Sequence, residues 1–406
     1  MKKNILLLKG MMLALLLPAQ NDSLQPVGTG DTLPSIKVNK DAVYDRPFIS
    51  IGKTSTAIGG YVEGNTNYFV TDGVAEGFSM ELRRFNIFLY SPIGNRIRFL
   101  SELEFEHGTE EIALETAMLD FEIASALSFR AGILLAPLGA FNQNHDGPKW
   151  EFIERPLVST QIIPSTLSEI GFGFHGKLYR ADKVFSYEAY LVNGLQDGVI
   201  LNTEGRTFLQ AGKSEEMFAE DNNGQPMFTG KIGFKHRKIA EIGLSYYGGV
   251  YNTFQIEGTL IDSKRRLSVI ALDLNTVIFR KLTVNAEAAL VSIDVPAAAG
   301  QFFGSRQKGF YAEAVYTVLR GTVLGYENTA INVNLRGEYI DYNDGTFADT
   351  GTRIYDEVIA LVPGISIRPS SSTVLRLNYR YHWEYDILGN PAIRTAGFQV
   401  GVASYF

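Results

Sequence analysis

The sequence predicts an all-β fold, a transmembrane barrel of about sixteen antiparallel strands. From about Ala57 onward, roughly sixteen segments alternate apolar and polar side chains, with turn signals between them. The alternation places apolar residues on one face of each segment and ionic residues on the other, and short connections alternate with long ones. An even number of such strands suits an antiparallel barrel made from one chain.

The first twenty residues have the features of a secretory signal peptide. Lys2 and Lys3 precede an apolar run from Ile5 to Leu17, which is shorter than the ~20 apolar residues that a membrane-spanning helix needs. The next segment is polar, with proline and glycine and no sustained period. We therefore assign residues 1–20 to a signal peptide, 21–55 to a periplasmic leader and 56–406 to the barrel.

The segment from Arg96 to Glu106 separates its two faces most sharply, because its apolar and ionic residues have opposite parity. A basic side chain facing lipid at mid-bilayer costs about 2–4 kcal/mol, so the two faces cannot exchange environments. Two later segments, 331–339 and 375–383, repeat the pattern. The ionic residues of these segments that we expect to line the lumen wall are Arg96, Arg98, Glu102, Glu104, Arg336, Glu338, Arg376 and Arg380.

The connections predict which end of the barrel faces outward. They are short at 91–95 and 236–239, and long at 142–166, 194–225 and 294–308. Short periplasmic turns and long extracellular loops are typical of outer-membrane barrels. The last segment, 396–406, ends on Phe406 and resembles their assembly signal. We therefore expect localisation in the bacterial outer membrane, contact with its lipid and lipopolysaccharide, and recognition by the barrel assembly machinery.

The composition excludes several classes of protein. The chain contains no cysteine, so disulfides and thiolate metal sites are absent. If Lys2, Lys3 and Lys9 are removed with the signal peptide, 34 of the 37 basic residues remain against 44 acidic ones. The resulting net charge of about −10 argues against nucleic-acid binding. A soluble β-sandwich also alternates apolar and polar residues, and it stays open as an alternative.

No local arrangement of residues predicts catalysis. The five histidines lie on different segments, and His107 and His145 are candidates for a site at the outer rim. We expect no enzymatic activity, no cofactor and no metal ligands, because the acidic clusters at 220–224 and 341–345 lack the spacing of a calcium-binding loop. A lipid-hydrolysing rim enzyme that uses these two histidines is a rival hypothesis.

Several short motifs in order resemble the phosphate-selective porin O and P family, in the version found in Bacteroidetes-like sequences. Leu82-Arg83-Arg84 is followed by Ala136-Pro137-Leu138-Gly139 and then by the run from Phe152 to Val158. Glu169 to Gly173, Tyr190 to Gly194, Arg336 to Asp341 and the final strand follow in the same order. The resemblance covers most of the chain after residue 55.

The resemblance implies a sixteen-stranded barrel, usually trimeric, with a loop at about Leu138 to Thr166 that folds inward and narrows the pore. Lys149, Glu154 and Arg155 would then present charge at the constriction. The expected function is a porin for passive diffusion of small hydrophilic solutes or ions, including anions such as phosphate. A structural or adhesive barrel, with a lumen blocked by loops that bind partners, is the alternative.

Overall fold

The computed structural model describes Arg46, the backbone of Ile49–Ser50 and residues 56–406. The predicted signal peptide and nearly all of the predicted leader lie outside the described residues. Ile49–Ser50 forms a short strand, β1, that pairs with the start of the barrel.

Sixteen antiparallel strands follow, and each pairs with its neighbour on both sides. They are β2 (Ala57–Thr71), β3 (Val74–Pro92), β4 (Ile97–Glu106), β5 (Glu111–Ala124), β6 (Leu127–Leu135), β7 (Ser168–Arg180), β8 (Lys183–Val192), β9 (Met227–His236), β10 (Ala240–Val250), β13 (Arg266–Ile278), β14 (Leu282–Ile293), β15 (Arg306–Val323), β16 (Tyr326–Asp341), β17 (Glu357–Arg368), β18 (Thr373–Tyr385) and β19 (Ile393–Tyr405). Between β10 and β13 a small hairpin outside the barrel contains β11 (Gln255–Ile256) and β12 (Thr259–Leu260).

The last strand closes the barrel on the first. β19 pairs with β2 from Thr395 opposite Thr71 to Tyr405 opposite Tyr61. After the last pair, the Phe406 amide donates to the carbonyl oxygen of Gly60 at 3.0 Å, and a Cβ on Gly60 would collide with the Phe406 ring. Closure removes both free sheet edges, which hydrocarbon cannot hydrogen-bond. The predicted sixteen-stranded barrel is therefore confirmed.

The two ends of the barrel differ in the length of their connections. Seven short turns lie at the end where β2 begins and β19 ends. The opposite end carries long loops at 136–167, 193–226, 251–265, 294–305 and 342–356. We assign this end to the outside. The long connections predicted at 142–166, 194–225 and 294–308 are confirmed, and three shorter connections, 72–73, 107–110 and 386–392, lie at the same end.

The strands face opposite environments on their two sides. On β16, Val333 and Leu335 are 51% and 48% exposed, whereas Asn334 and Arg336 are each 1% exposed. Apolar side chains of the other strands point outward in the same way. In a β-sandwich these apolar residues would meet in a dry core, so this alternative is excluded. An apolar exterior on a closed barrel is the surface that a bilayer covers.

A β-bulge changes the phase of β3. Glu63 is opposite Arg84, but the next residue of β2, Gly64, is opposite Leu82, so Arg83 is the extra residue. Phe78, Met80 and Leu82 are exposed before the bulge, whereas Arg84 is buried in the lumen after it. A bulge of this kind redirects side chains. It brings both Arg83 and Arg84 inward.

Short helices occur only as single turns within the loops of the described chain. They are 3₁₀ turns at Gly147–Lys149, Asp197–Val199, Leu209–Gly212, Glu215–Phe218 and Ala297–Ala299, and a π turn at Val158–Ile162. Within the residues that the structure describes, no helix is both long enough and apolar enough to cross a bilayer.

A charge on the outer face should destabilise the barrel according to its depth. Leu335→Arg, in the middle of β16, should lower the free energy of folding into lipid vesicles by about 2–4 kcal/mol, measured by urea titration. Leu324→Arg is the matched control, because Leu324 is 94% exposed in the turn after β15. The loss of folding free energy for Leu324→Arg should lie near zero. Equal losses for Leu335→Arg and Leu324→Arg would contradict the assigned orientation.

Candidate functional site

The long connection between β6 and β7, residues 136–167, folds into the barrel. We call it the inward loop. Trp150, Phe152 and Ile153 are buried in the lumen. The side chain of Asn142 holds the base of the loop together, because its amide donates to the carbonyl oxygens of Ala136 and Leu167 and its oxygen accepts from the Leu167 amide. The expected inward position of this loop is confirmed.

A buried carboxylate on the wall binds the first half of the inward loop. Glu287 of β14 accepts the amides of Ala140 at 2.6 Å and Phe141 at 3.0 Å, together with the Ser159 hydroxyl at 2.7 Å. Gly139, just before these amides, has a φ of 66°, and a Cβ there would meet this carboxylate. Hydrogen bonds to a buried carboxylate are stronger than neutral ones, so Glu287 fixes the turn.

Three wall arginines bind the second half of the inward loop through its carbonyl oxygens. Arg336 donates to the carbonyl of Glu154 at 2.7 Å, Arg376 to that of Phe152 at 2.9 Å, and Arg368 to that of Pro148 at 2.9 Å. Each guanidinium also pairs with a carboxylate: Arg336 with Glu313, Arg376 with Glu63, and Arg368 with Glu151. The wall charges therefore hold the backbone of the loop.

Apolar side chains fill the outer half of the lumen on the side of β8 to β16. The inward-facing residues Val269 and Ala271 of β13 are buried and apolar, whereas the next ones toward the periplasm, Asp273 and Asn275, are polar. Val158 and Ile162 of the inward loop pack into the same cluster. Leu195, Val199 and Leu209 of the loop at 193–226 complete it. In the described chain, this cluster fills that side of the lumen.

A cavity of about 620 Å³ lies on the opposite side of the lumen, between the inward loop and the wall. Its charged lining contains Arg83, Arg84, Arg155 and Arg380 against Glu76, Glu106 and Glu154. Thr160, Gln161, Ser165 and Gln210 add neutral polar groups. A second cavity of about 300 Å³ adjoins it, because both share Leu157, Gln161, Arg380 and His382. The lining residues of β2, β3 and β19 place the first cavity toward the outer end.

An ion pair joins the inward loop to the wall at the edge of this cavity. The Arg83 guanidinium donates to both carboxylate oxygens of Glu154, at 3.1 and 2.8 Å, and the Gln399 amide donates to the same carboxylate at 2.7 Å. Burial alone would raise the pKa of Glu154, but the Arg83 guanidinium outweighs burial and holds the pKa well below its usual value. Glu154 therefore stays ionised in mildly acidic water.

The other two predicted loop residues have different surroundings. Arg155 borders the cavity, and its guanidinium lies 3.9 Å from Glu104 and over the Phe141 ring. Lys149 is mostly buried, and its ammonium lies 3.2 Å from Asp146 of the same loop. Lys149 is not among the residues that line the cavity, and its predicted role at the constriction stays a prediction.

Most of the predicted wall residues do not line open water. Glu102, Glu104, Arg336, Glu338 and Arg376 are buried. Glu338 accepts the Leu157 amide of the inward loop at 3.0 Å, a role comparable to that of Arg336. The inward loop covers these five residues, and their contribution to the pore wall stays a prediction. Of the predicted wall residues, Arg380 borders the cavity.

The two predicted wall residues nearest the periplasm also differ from expectation. Arg96 is exposed in the turn before β4, which begins at Ile97, and its predicted role on the lumen wall stays a prediction. Arg98 faces inward and pairs with Glu122 at 2.8 Å, where both side chains remain about one-third exposed. Arg98 thus lies below the inward loop, on the periplasmic side of the barrel.

One residue ahead of the barrel also reaches into the lumen. Arg46 is buried, and its guanidinium binds both oxygens of Asp146 in the inward loop, at 3.0 and 2.7 Å. It also lies 2.9 Å from Glu102 and 4.0 Å above the Phe88 ring. No sequence pattern marks Arg46, because its partners are distant in the chain.

The two histidines of the rim hypothesis have unrelated partners. His107 is partly exposed and its Nδ1 lies 2.6 Å from Glu81. His145 is buried in the inward loop, where its Nε2 lies 2.8 Å from Glu115. Glu106 and Asp146, which follow or precede these histidines directly in the chain, bind Arg84 and Arg46. A nucleophile beside either histidine is absent from the described contacts, so this geometry gives no support to a shared catalytic site.

The comparisons with known proteins place the fold among outer-membrane barrels. An uncharacterized protein of Aquifex aeolicus (strain VF5) is 26% identical over 371 residues, which are 80% of this chain and 76% of that protein. The outer membrane channel DcaP of Acinetobacter baumannii superposes with a TM-score of 0.54 at 10% identity, over 88% of this chain and 99% of that one.

A trimer form of OmpT, an outer membrane protein of Vibrio cholerae, gives a TM-score of 0.51 at 10% identity, over 87% of this chain and all of the other. No family model matches the sequence. Likeness at this level of identity concerns the fold, so membership of the phosphate-selective porin family stays a prediction. The closed barrel with its apolar exterior confirms the bacterial outer membrane as the location.

Removal of one wall arginine should test how the inward loop is held. Arg336→Met leaves Glu313 and Glu338 without their guanidinium in a buried site, and should cost about 3–5 kcal/mol of stability in urea unfolding. Arg98→Met is the control, because its ion pair with Glu122 is partly exposed and should contribute about 0–1 kcal/mol. Similar losses for the two variants would show that Arg336 does not anchor the loop.

Proposed function

We propose that the protein is an outer-membrane channel for passive diffusion of small hydrophilic solutes and ions. The observation that carries this proposal is the cavity of about 620 Å³ beside the inward loop, with ionic side chains from both the loop and the wall. Some of these side chains form ion pairs, such as Arg83 with Glu154 and Arg84 with Glu106, and the pairs still border the cavity.

The inward loop sets the size limit in this proposal. It is fixed by the hydrogen bonds to Glu287, Arg336 and Arg376, so the free cross-section beside it cannot widen without breaking buried ion pairs. Solutes pass through the cavity beside the Arg83–Glu154 ion pair, where Arg155 of the loop and Arg380 of the wall add charge to the lining. Selection then depends on solute size and on the local field of these charges.

The charge of the lining supports a weak anion preference. Four arginines oppose three glutamates around the cavity, and the two signs lie on both of its sides. A field that crosses the pore favours hydrated solutes of either sign over strong selection of one anion. Anions such as phosphate are therefore among the proposed solutes, without exclusive selectivity.

Conductance of the purified protein in planar bilayers tests the function. We expect stepwise ion currents and, in a salt gradient, a reversal potential that reports a small anion preference. Glu154→Gln removes one negative charge and should raise the anion-to-cation permeability ratio about fivefold at low salt, the factor that corresponds to about 1 kcal/mol of Coulomb energy.

The pH dependence and a control sharpen this measurement. Because the pKa of Glu154 is held below its usual value, the difference between the wild type and Glu154→Gln should persist from about pH 7 to about pH 5. Glu257→Gln changes the same charge on an exposed outer turn and should leave the ratio unchanged. An equal shift for Glu257→Gln would contradict the assigned path.

The apolar cluster in the outer half of the lumen favours a second candidate, a structural barrel blocked by its loops. The inward loop and the loop at 193–226 together fill the side lined by β8 to β16. If the same packing closed the remaining path, the outer loops would serve to bind partners. Absence of any current from well-folded protein would favour this candidate over the channel.

We also propose that three copies associate through the outer end of β3. β4 pairs with β3 only from Arg84 onward, so in the described chain no strand lies beside residues 74–81 on that side. Phe78 and Met80 are 62% and 78% exposed there. An open strand edge with large apolar side chains favours association. The trimer form of OmpT, which has a similar fold, supports three copies.

Met80→Glu should dissociate such a trimer, because it places a charge in the proposed contact. The mass of the protein–detergent complex by analytical ultracentrifugation should fall to that of one copy. Leu324→Glu is the control at the periplasmic end and should leave the mass unchanged. A monomeric wild type would exclude the trimer without affecting the channel proposal. Contacts with lipopolysaccharide and with the assembly machinery stay predictions.

A further inference from the structure

Three potential metal ligands meet at the base of the inward loop, away from the cavity. They are Glu102 on β4, Glu115 on β5 and His145 in the loop, and all three side chains are buried. One ligand atom from each lies within 4.8 Å of the other two. The chain thus brings an imidazole and two carboxylates together from three separate elements.

A β-bulge aims one of these ligands into the cluster. Glu102 is opposite Thr116 and Leu103 is opposite Leu114, so Glu115 is the extra residue of β5. As a result Glu115 and Thr116 are consecutive and both buried in the lumen. Regular alternation would have turned Glu115 or Thr116 toward lipid.

Each of the three side chains is also oriented by a hydrogen bond to a neighbouring group. The carbonyl oxygen of Asn142 lies 3.0 Å from His145 Nδ1, the Thr166 hydroxyl donates to Glu115 Oε1 at 2.7 Å, and the Asn86 amide donates to Glu102 Oε1 at 2.8 Å. A proton on Nδ1 leaves the Nε2 lone pair facing the carboxylates. Outer hydrogen bonds of this kind accompany most metal-bound histidines and carboxylates.

Two of the three facing atoms lack hydrogen bonds although they are buried. His145 Nε2 and Glu115 Oε2 lie 2.8 Å apart, but neither makes a hydrogen bond of acceptable geometry. Arg46 pairs with Glu102 and Asp146, and Lys149 pairs with Asp146, whereas the ion-pair partner of Glu115 is His145. With a neutral imidazole, one negative charge remains to be balanced beside Nε2.

We propose that His145, Glu115 and Glu102 bind a divalent transition-metal ion of the zinc class. Ligand atoms about 2.0–2.1 Å from a tetrahedral zinc ion lie about 3.3 Å apart. The separations of His145 Nε2 from the carboxylate oxygens of Glu115 and Glu102, 2.8 and 3.9 Å, bracket this value. One nitrogen and two carboxylate ligands suit zinc better than magnesium or calcium. The ion joins β4, β5 and the inward loop at one point.

A proton on His145 Nε2 is the rival occupant, because an imidazolium also balances the charge and pairs with Glu115. The two occupants differ in what the protein retains. A metal-bound chain carries a stoichiometric ion, whereas a protonated chain carries none. They also differ spectroscopically, because cobalt in a site of low coordination number absorbs visible light.

The test uses the mature chain purified from membranes in detergent. After incubation with equimolar zinc and removal of free metal, mass spectrometry of the metal content should give about one zinc ion per chain. His145→Ala and Glu115→Gln should each lower the zinc affinity at least about tenfold. Cobalt in place of zinc should give visible absorption bands in the wild type. This measurement does not depend on whether the variants fold.

His175→Ala is the matched control. His175 also contacts a lumen carboxylate, Asp120 at 3.2 Å, but has no second carboxylate in a three-ligand cluster of the described chain. This variant should retain the ion. A wild type without zinc and without cobalt bands overturns the proposal and leaves the imidazolium. Equal zinc content in the wild type and His145→Ala overturns it as well. Neither result affects the channel proposal.

Discussion

The structure depends on the hydrogen bonds by which β19 closes on β2. A bilayer offers no partner for a free amide or carbonyl group, so a sheet is stable there only without edges. Eleven opposed residue pairs, from Thr395 with Thr71 to Tyr405 with Tyr61, meet this requirement at the seam. Once the barrel is closed, the pleat leaves each side chain one of two environments, lipid or lumen. The apolar parity of β16 and the ionic parity beside it follow from this constraint.

The ionic side chains on the lumen face then determine how the inward loop is held. Buried arginines and glutamates are costly unless they are paired and hydrogen-bonded, and the inward loop supplies much of what they need. Its amides bind Glu287 and its carbonyl oxygens bind Arg336 and Arg376. The loop is therefore held by the charges that would otherwise face water. Arg83 also pairs with Glu154 of the loop, and together with Arg380 it borders the cavity.

The strands and their faces could be predicted from the sequence because they depend on local alternation alone. The assignment of β16 from Asn332 to Glu338 required no knowledge of its neighbours. The phase change at Arg83 was visible in the sequence, and it marks the bulge. The roles of Arg336 and Arg376 could not be predicted, because their partners are backbone oxygens of a loop distant in the chain. The apolar lumen of β13 was missed because Val269 and Ala271 resemble lipid-facing residues.

The absence of cysteine from the chain makes the central claim directly measurable. Single cysteines placed in turn from Ile331 to Arg336 can be labelled with a polarity-sensitive fluorophore in vesicles that contain spin-labelled lipid. We predict strong quenching by the lipid at 331, 333 and 335, and little at 332, 334 and 336, with a period of two. Uniform quenching along these six positions, or quenching of the opposite parity, would contradict the closed barrel with its ionic face inward.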